Sequence, residues 1–243
     1  FPVQEHRIRE GESVEDPATG KSAGEVVGIG PNHVDVKRTP GRPQPAALMP
    51  GGPPKTTEHR GRLLEIGIAV AEQGLDLDDD HRVARALLLR APPACGQLPG
   101  APLLAPDADT VTGLSALALR LNGGVLAVQG PPGSGKTHRA AHMIAELVRA
   151  GKRVGVTANS HKVITSLIRR AVLAAAESGH RIRATHNPGG TNPEDLESSE
   201  YGLEKDHSRN RAQLASGAIQ VLGGTAWAWA RDDFKGSVDV LVV

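Results

Sequence analysis

From Gly124 to Val243, short apolar runs alternate with longer stretches in which apolar residues recur at helical spacing. The run "VLAVQ" (125–129) leads into a helix reaching Arg149, whose apolar face carries Ala140, Met143, Ile144, Leu147 and Val148. "RVGVTA" leads into a second helix, from about His161 to Glu177, with Val163, Ile164, Leu167 and Ile168 on one side. "RIRAT", "AIQVLGG" and "VDVLVV" continue the series of strands, the last two separated by a short helix bearing Trp227 and Trp229. Apolar strands alternating with helices predict an α/β fold, a parallel sheet covered on both faces. The polar insert "HNPGGTNPEDLESSEYGLEKDHSRNRAQ" reads as a mobile excursion with one short helix near its end.

The front of the chain has a different texture. Residues 1–45 read as short strands with turns at Asp16-Pro17-Ala18-Thr19-Gly20 and Gly30-Pro31-Asn32, a small β module in which Val34 and Val36 face inward. The stretch "TPGRPQPAALMPGGPPK" excludes a continuous helix or central strand and marks a linker or surface loop. Residues 57–90 turn helical: one helix ends at Gly74, and Asp78, Asp79 and Asp80 open a second carrying Val83, Ala86, Leu87 and Leu89. Those aspartates lack the glycine and distal glutamate of a calcium loop, so capping explains them. A Pro-rich connection then leads to the short helix "GLSALALRL". The organisation expected is a β module at 1–45, a linker and helices at 46–118, and the α/β domain at 119–243.

Composition adds three constraints. At 39% hydrophobic residues the chain can build a core, and no apolar stretch approaches a membrane span. A single cysteine, Cys95, forms no internal disulfide and fits a reducing, cytoplasmic setting. The net charge is only +1, yet Lys136 to Arg183 holds ten Lys or Arg against Glu146 and Glu177, an anion-binding signature. Residues 191–207 carry six acids against Lys205 and could neutralise part of that block. The histidines show no ligand spacing, and His161 reads as a phosphate neighbour or surface residue.

The chemistry concentrates in "GPPGSGKT", Gly130 to Thr137, which matches G-x-x-x-x-G-K-[ST] between a strand and an amphipathic helix. Phosphate oxygens need several N–H donors converging on one point, which favours glycine at Gly133 and Gly135, and the helix start adds free amides and the positive end of its dipole. Gly130, Pro131, Pro132, Gly133, Ser134, Gly135, Lys136, Thr137 and His138 are the candidate nucleotide-binding residues. Lys136 would reach the β- and γ-phosphates, and the Thr137 hydroxyl would hold Mg²⁺. Downstream, Thr157, Asn159, Ser160 and Lys162 stand where a strand enters a helix, suited to phosphate contacts on a nucleic-acid backbone. An ordinary cap by Asn159 or Ser160 is the alternative.

The segments "VQGPPGSGKT", "GKRVGVTANSHKVI" and "LGGTAWAWAR" resemble motifs I, Ia and Ic of superfamily 1 helicases. The likeness is to the branch that includes the nonsense-mediated-decay helicase, and within it to bacterial proteins in which the helicase follows a RecB-like nuclease domain. The resemblance implies a P-loop NTPase with a RecA-like parallel sheet, preceded by a small β-barrel and a helical stalk. It implies ATP and Mg²⁺ as cofactors, single-stranded DNA or RNA as partner, and Asn159, Ser160, Lys162 and Thr225 as nucleic-acid contacts. In relatives the strand resembling "VDVLVV" runs into an acidic pair that completes the Mg²⁺ site. The chain is therefore expected to be a window from a longer protein, its RecA-like sheet incomplete and its own turnover insignificant. The glutamine that relatives place before the P-loop to read adenine has no counterpart in "TVTGLSALALRL". With two Trp, two Phe and one Tyr, base stacking contributes little; Trp227 and Trp229 are expected in the core. The rival readings are an AAA-type ATPase or P-loop kinase, and a non-hydrolysing nucleic-acid binding module.

Overall fold

A computed structural model describes residues 2–6, 8–41, 44–51, 56–75, 80–98, 100–191, 193–196 and 198–243. The chain divides into two compact units, Phe1–Lys55 and Thr56–Val243.

The first unit is a four-stranded antiparallel sheet in the order β3-β2-β1-β4, built from β1 (Ser13–Asp16), β2 (Lys21–Gly30), β3 (His33–Lys37) and β4 (Met49–Pro50). The turn after β1 forms as expected: Asp16 accepts from the Ala18 amide at 2.9 Å and the Gly20 amide bonds the Asp16 carbonyl at 2.8 Å. Val14, Ala23 and Val26 form the small core with Ile8, and Val34, Val36 and Leu48 pack onto it. The sheet reaches past residue 45, because Met49 and Pro50 pair with Glu15 and Val14 at its edge. An edge is where a proline is tolerated, since its missing N–H breaks no ladder there.

The second unit carries helices α1 (Thr57–Gln73), α2 (Arg82–Leu88), α3 (Thr110–Arg120), α4 (Lys136–Arg149), α5 (His161–Glu177), α6 (His207–Ala215) and α7 (Ala226–Trp229). They accompany an all-parallel five-stranded sheet in the order β7-β6-β8-β5-β9, from β5 (Val154–Val156), β6 (Ala184–His186), β7 (Gly202–Leu203), β8 (Val221–Gly223) and β9 (Val240–Val242). One face of the sheet packs on α4 and α5, where Ile144, Leu147, Val154, Val156, Ile164, Ile168 and Val221 are buried together. The other face holds Leu214, Ile219, Leu222 and Phe234, with Trp229 and Val238 against them. Gly155 permits that second packing: a Cβ there would come within 2.7 Å of Trp229 Cη2 and 2.8 Å of Leu241 Cδ1. The open ends of β5 and β9 are pinned by Arg153, whose Nη2 meets Asp239 Oδ1 at 3.2 Å and whose amide donates to Oδ2 at 2.7 Å.

Several expectations need correction. "VLAVQ" forms no ladder: β9 pairs with β5, and among the described residues no strand offers Val125–Gln129 a partner. Val125 and Leu126 are half-buried, whereas Ala127, Val128 and Gln129 are exposed, so the apolar alternation is not matched by burial. On α4 the buried positions are Ala141, Ile144, Ala145, Leu147 and Val148, with Ala140 and Met143 only half-buried. The polar insert contributes α6, and also β7, which extends the sheet beyond β6. Asp78 and Asp79 lie outside the described residues, and Asp80 does not cap α2, whose N-cap position is His81 without a side-chain capping bond. Among the described residues no helix is long and apolar enough to cross a membrane.

Candidate functional site

The loop Gly130–Thr137 ends at α4, and its backbone explains its glycines. Gly133 and Gly135 have φ of +79° and +80°, the left-handed region that other residues enter at a cost. A Cβ at Gly133 would meet nothing within 4 Å, so conformation rather than crowding selects glycine there. Gly130 is selected by space, since its Cβ would approach Ser134 Oγ to 2.5 Å. Gly135 occupies the N-cap position of α4, and no side chain caps the helix. The amides of its first turn are therefore left for an external acceptor.

Two cationic side chains of this helix start bond back to the loop backbone. Lys136 Nζ folds back onto the loop, donating to the Gly130 carbonyl at 2.5 Å and the Pro131 carbonyl at 2.9 Å. Ser134 Oγ is buried and has no hydrogen-bond partner among the described residues. Arg139, one turn into α4, donates to the Ser134 carbonyl and, at 3.0 Å, to Thr110 Oγ1, tying the loop to the first residue of α3. Thr137 and His138 are exposed. An ammonium held by loop carbonyls, an orphaned hydroxyl and an uncapped helix start fit a polyphosphate. Bound nucleotide would give the Lys136 ammonium phosphate oxygens in place of the carbonyls, and the Thr137 hydroxyl could reach a magnesium ion. Among the described residues, no group of three or more His, Cys, Asp and Glu side chains is set to hold a metal.

No protein-family profile matches the chain, and no curated protein matches it either.

The neighbouring strand ends place the other candidate residues. α4 leads through a short turn into β5, so its start lies on the carboxyl side of the sheet, where α/β folds commonly bind ligands. That side also receives Thr157, whose amide bonds the Val242 carbonyl at 2.8 Å, and Gly224, whose amide bonds the Val156 carbonyl at 3.0 Å. Asn159 and Lys162 are exposed there, and Thr225 is half-buried at the N-cap position of α7 without a capping bond. Ser160 caps α5, accepting from the Val163 amide at 3.3 Å, so one lone pair of its hydroxyl is committed to the helix.

Within the basic block, Lys136 and Arg139 serve the loop, Arg149 pairs with Glu146, Arg153 with Asp239, and Arg183 donates to the Gly217 and Ala218 carbonyls. Lys152, Lys162, Arg169, Arg170 and Arg181 are exposed and, among the described residues, make no salt bridge. Among the described residues of the acidic insert, Glu204 pairs with Arg209 at 3.6 Å and Asp206 caps α6, while the charge of Arg169 reaches Glu200. The tryptophans divide. Trp229 is packed in the core with its indole N–H donating to the Gly224 carbonyl at 3.0 Å, whereas Trp227 is 44% exposed, edge-on to His59.

One feature of this edge escaped the sequence reading. His186, at the end of β6, is fully buried, and its Nε2 shares a hydrogen bond of 2.9 Å with Nδ1 of His161 at the start of α5. Burial, with His161 beside it, pushes the His186 pKa down to about 4, and burial lowers that of His161 as well. Burial thus favours the neutral form of each ring. In the sequence His186 opens the polar insert after "RIRAT", and nothing local marks it as buried.

Proposed function

We propose that the chain is the nucleotide-binding part of a superfamily 1 helicase or translocase, in which ATP hydrolysis drives movement along single-stranded DNA or RNA. In this reading Thr56–Val243 holds the RecA-like P-loop domain with its stalk, and the sheet of the first unit corresponds to the small β-barrel. The observation that carries it is the loop Gly130–Thr137: two glycines at positive φ feed an uncapped helix start, and the Lys136 ammonium folds back onto the Gly130 and Pro131 carbonyls. Asn159, Ser160, Lys162 and Thr225 then track the nucleic-acid backbone, Ser160 also capping α5. A nuclease domain in the same protein is part of the proposal by resemblance.

The reading is tested by fluorescence anisotropy with a labelled ATP analogue and Mg²⁺. Saturable binding is expected, weakened at least about tenfold in Lys136→Ala through loss of a charge-assisted phosphate contact. Equal affinity in the two proteins would defeat it. In a motor containing this domain, the same substitution should abolish unwinding and leave most nucleic-acid affinity, whereas a pure binding module would keep its function.

A further inference from the structure

His138 and His142 stand one turn apart on α4, and their rings meet edge to face with centroids 4.5 Å apart. Although the sequence reading found no ligand spacing, i and i+4 on one helix is the spacing at which two imidazoles converge on a single ion. Among the described residues neither ring makes a hydrogen bond, so their nitrogen lone pairs are uncommitted. His138 is exposed and His142 half-exposed, which leaves an ion access from solvent.

The surroundings add a counter-charge and space. His142 lines a cavity of about 350 Å³ between α3 and α4, together with Thr112, Ser115 and Glu146. Glu146 lies one turn beyond His142. Its carboxyl is held below the usual range first by the hydrogen bond from Arg149, and it feels the His142 ring. Arg149 Nε donates to Oε2 at 3.0 Å, and the other carboxylate oxygen is outside that ion pair. Two nitrogens bound to one tetrahedral ion at about 2.0–2.1 Å sit roughly 3.3 Å apart, a separation rings already in edge contact can reach by side-chain rotation.

We propose that His138 and His142 together bind a borderline divalent transition-metal ion, Zn²⁺ or a close neighbour, as a two-imidazole chelate. Water fills the remaining positions and Glu146 supplies negative charge from the next turn. Nitrogen ligands select such an ion against Mg²⁺ and Ca²⁺, which prefer oxygen. This site is chemically distinct from the magnesium position proposed at Thr137 and does not depend on it. By bridging two turns, the metal braces the helix that begins at the glycine-rich loop.

The test is calorimetric titration of the chain with Zn²⁺ at pH 7.5, alongside His138→Ala, His142→Ala and Glu146→Gln. Alanine is the best helix former, so both histidine variants should keep the wild-type circular dichroism spectrum. The proposal expects one ion per chain, a loss of more than about tenfold in each histidine variant, and a smaller loss in Glu146→Gln, as for a supporting group. Absence of binding by the wild type, wild-type affinity in both histidine variants, or a loss confined to one of them would each overturn it.

Discussion

Acid should destabilise this fold through His186 before its carboxylates begin to matter. The ring is fully buried against α5 and β8 and kept neutral, its pKa lowered from 6.5 to about 4. Because the folded value is depressed, the unfolded chain takes up the proton first. The stabilisation is intact above the unfolded value, about 6.5, and is lost as pH falls toward 4. That lowering corresponds to about 3 kcal/mol across the window, a large part of a typical domain's stability. His161, also lowered by burial, acts in the same direction. The paired carboxylates of Asp239 and Glu146 are depressed as well, so their contributions fade only below the ordinary carboxylate values. Urea titrations at pH 7.5, 6.5, 5.5 and 5.0 isolate the histidine window. Wild-type stability should fall by about 1.4 kcal/mol per pH unit below 6.5 from this residue. In His186→Gln, which offers a non-titrating side chain for the bond to His161, that slope should largely disappear. Parallel pH profiles for the two proteins would refute the assignment.

Three further outcomes are expected. Gly155→Ala forces a methyl group against Trp229 and Leu241 and should cost about 1–3 kcal/mol by overpacking, read as a lower urea midpoint with altered tryptophan fluorescence. Gly133→Ala meets no obstacle but places a Cβ at φ +79°, so it should cost about 1–2 kcal/mol and weaken nucleotide binding. In nucleic-acid binding followed over a range of salt, Lys162→Ala should lower the salt slope by about 0.7 for a single strand, the share of one phosphate contact.

The α/β layering was legible because buried parallel strands must be apolar and their covering helices must carry a stripe, and both patterns survive in "RVGVTA", "AIQVLGG" and the α5 segment. The loop's glycines were legible for a different reason: Gly133 and Gly135 answer to backbone conformation, a local property. What depended on long-range partners was not. Val125–Gln129 has strand composition, but pairing makes a strand, and among the described residues no ladder forms there. The assignment of five basic side chains to structural contacts, the separate environments of Trp227 and Trp229, and the meeting of His161 with His186 are decided by tertiary neighbours. β7 joins the sheet through two residues, Gly202 and Leu203, too short a run to carry a periodic signal.

The central claim is that the amides from Gly133 to His138 face one polyphosphate. Backbone amide resonances followed by NMR during a titration with Mg-ATP report on it residue by residue. The account predicts that the Gly133, Gly135, Lys136 and Thr137 signals move together along one saturation curve, and that Lys136→Ala weakens that curve. Shifts clustered elsewhere, with these four unmoved at saturating nucleotide, would contradict it.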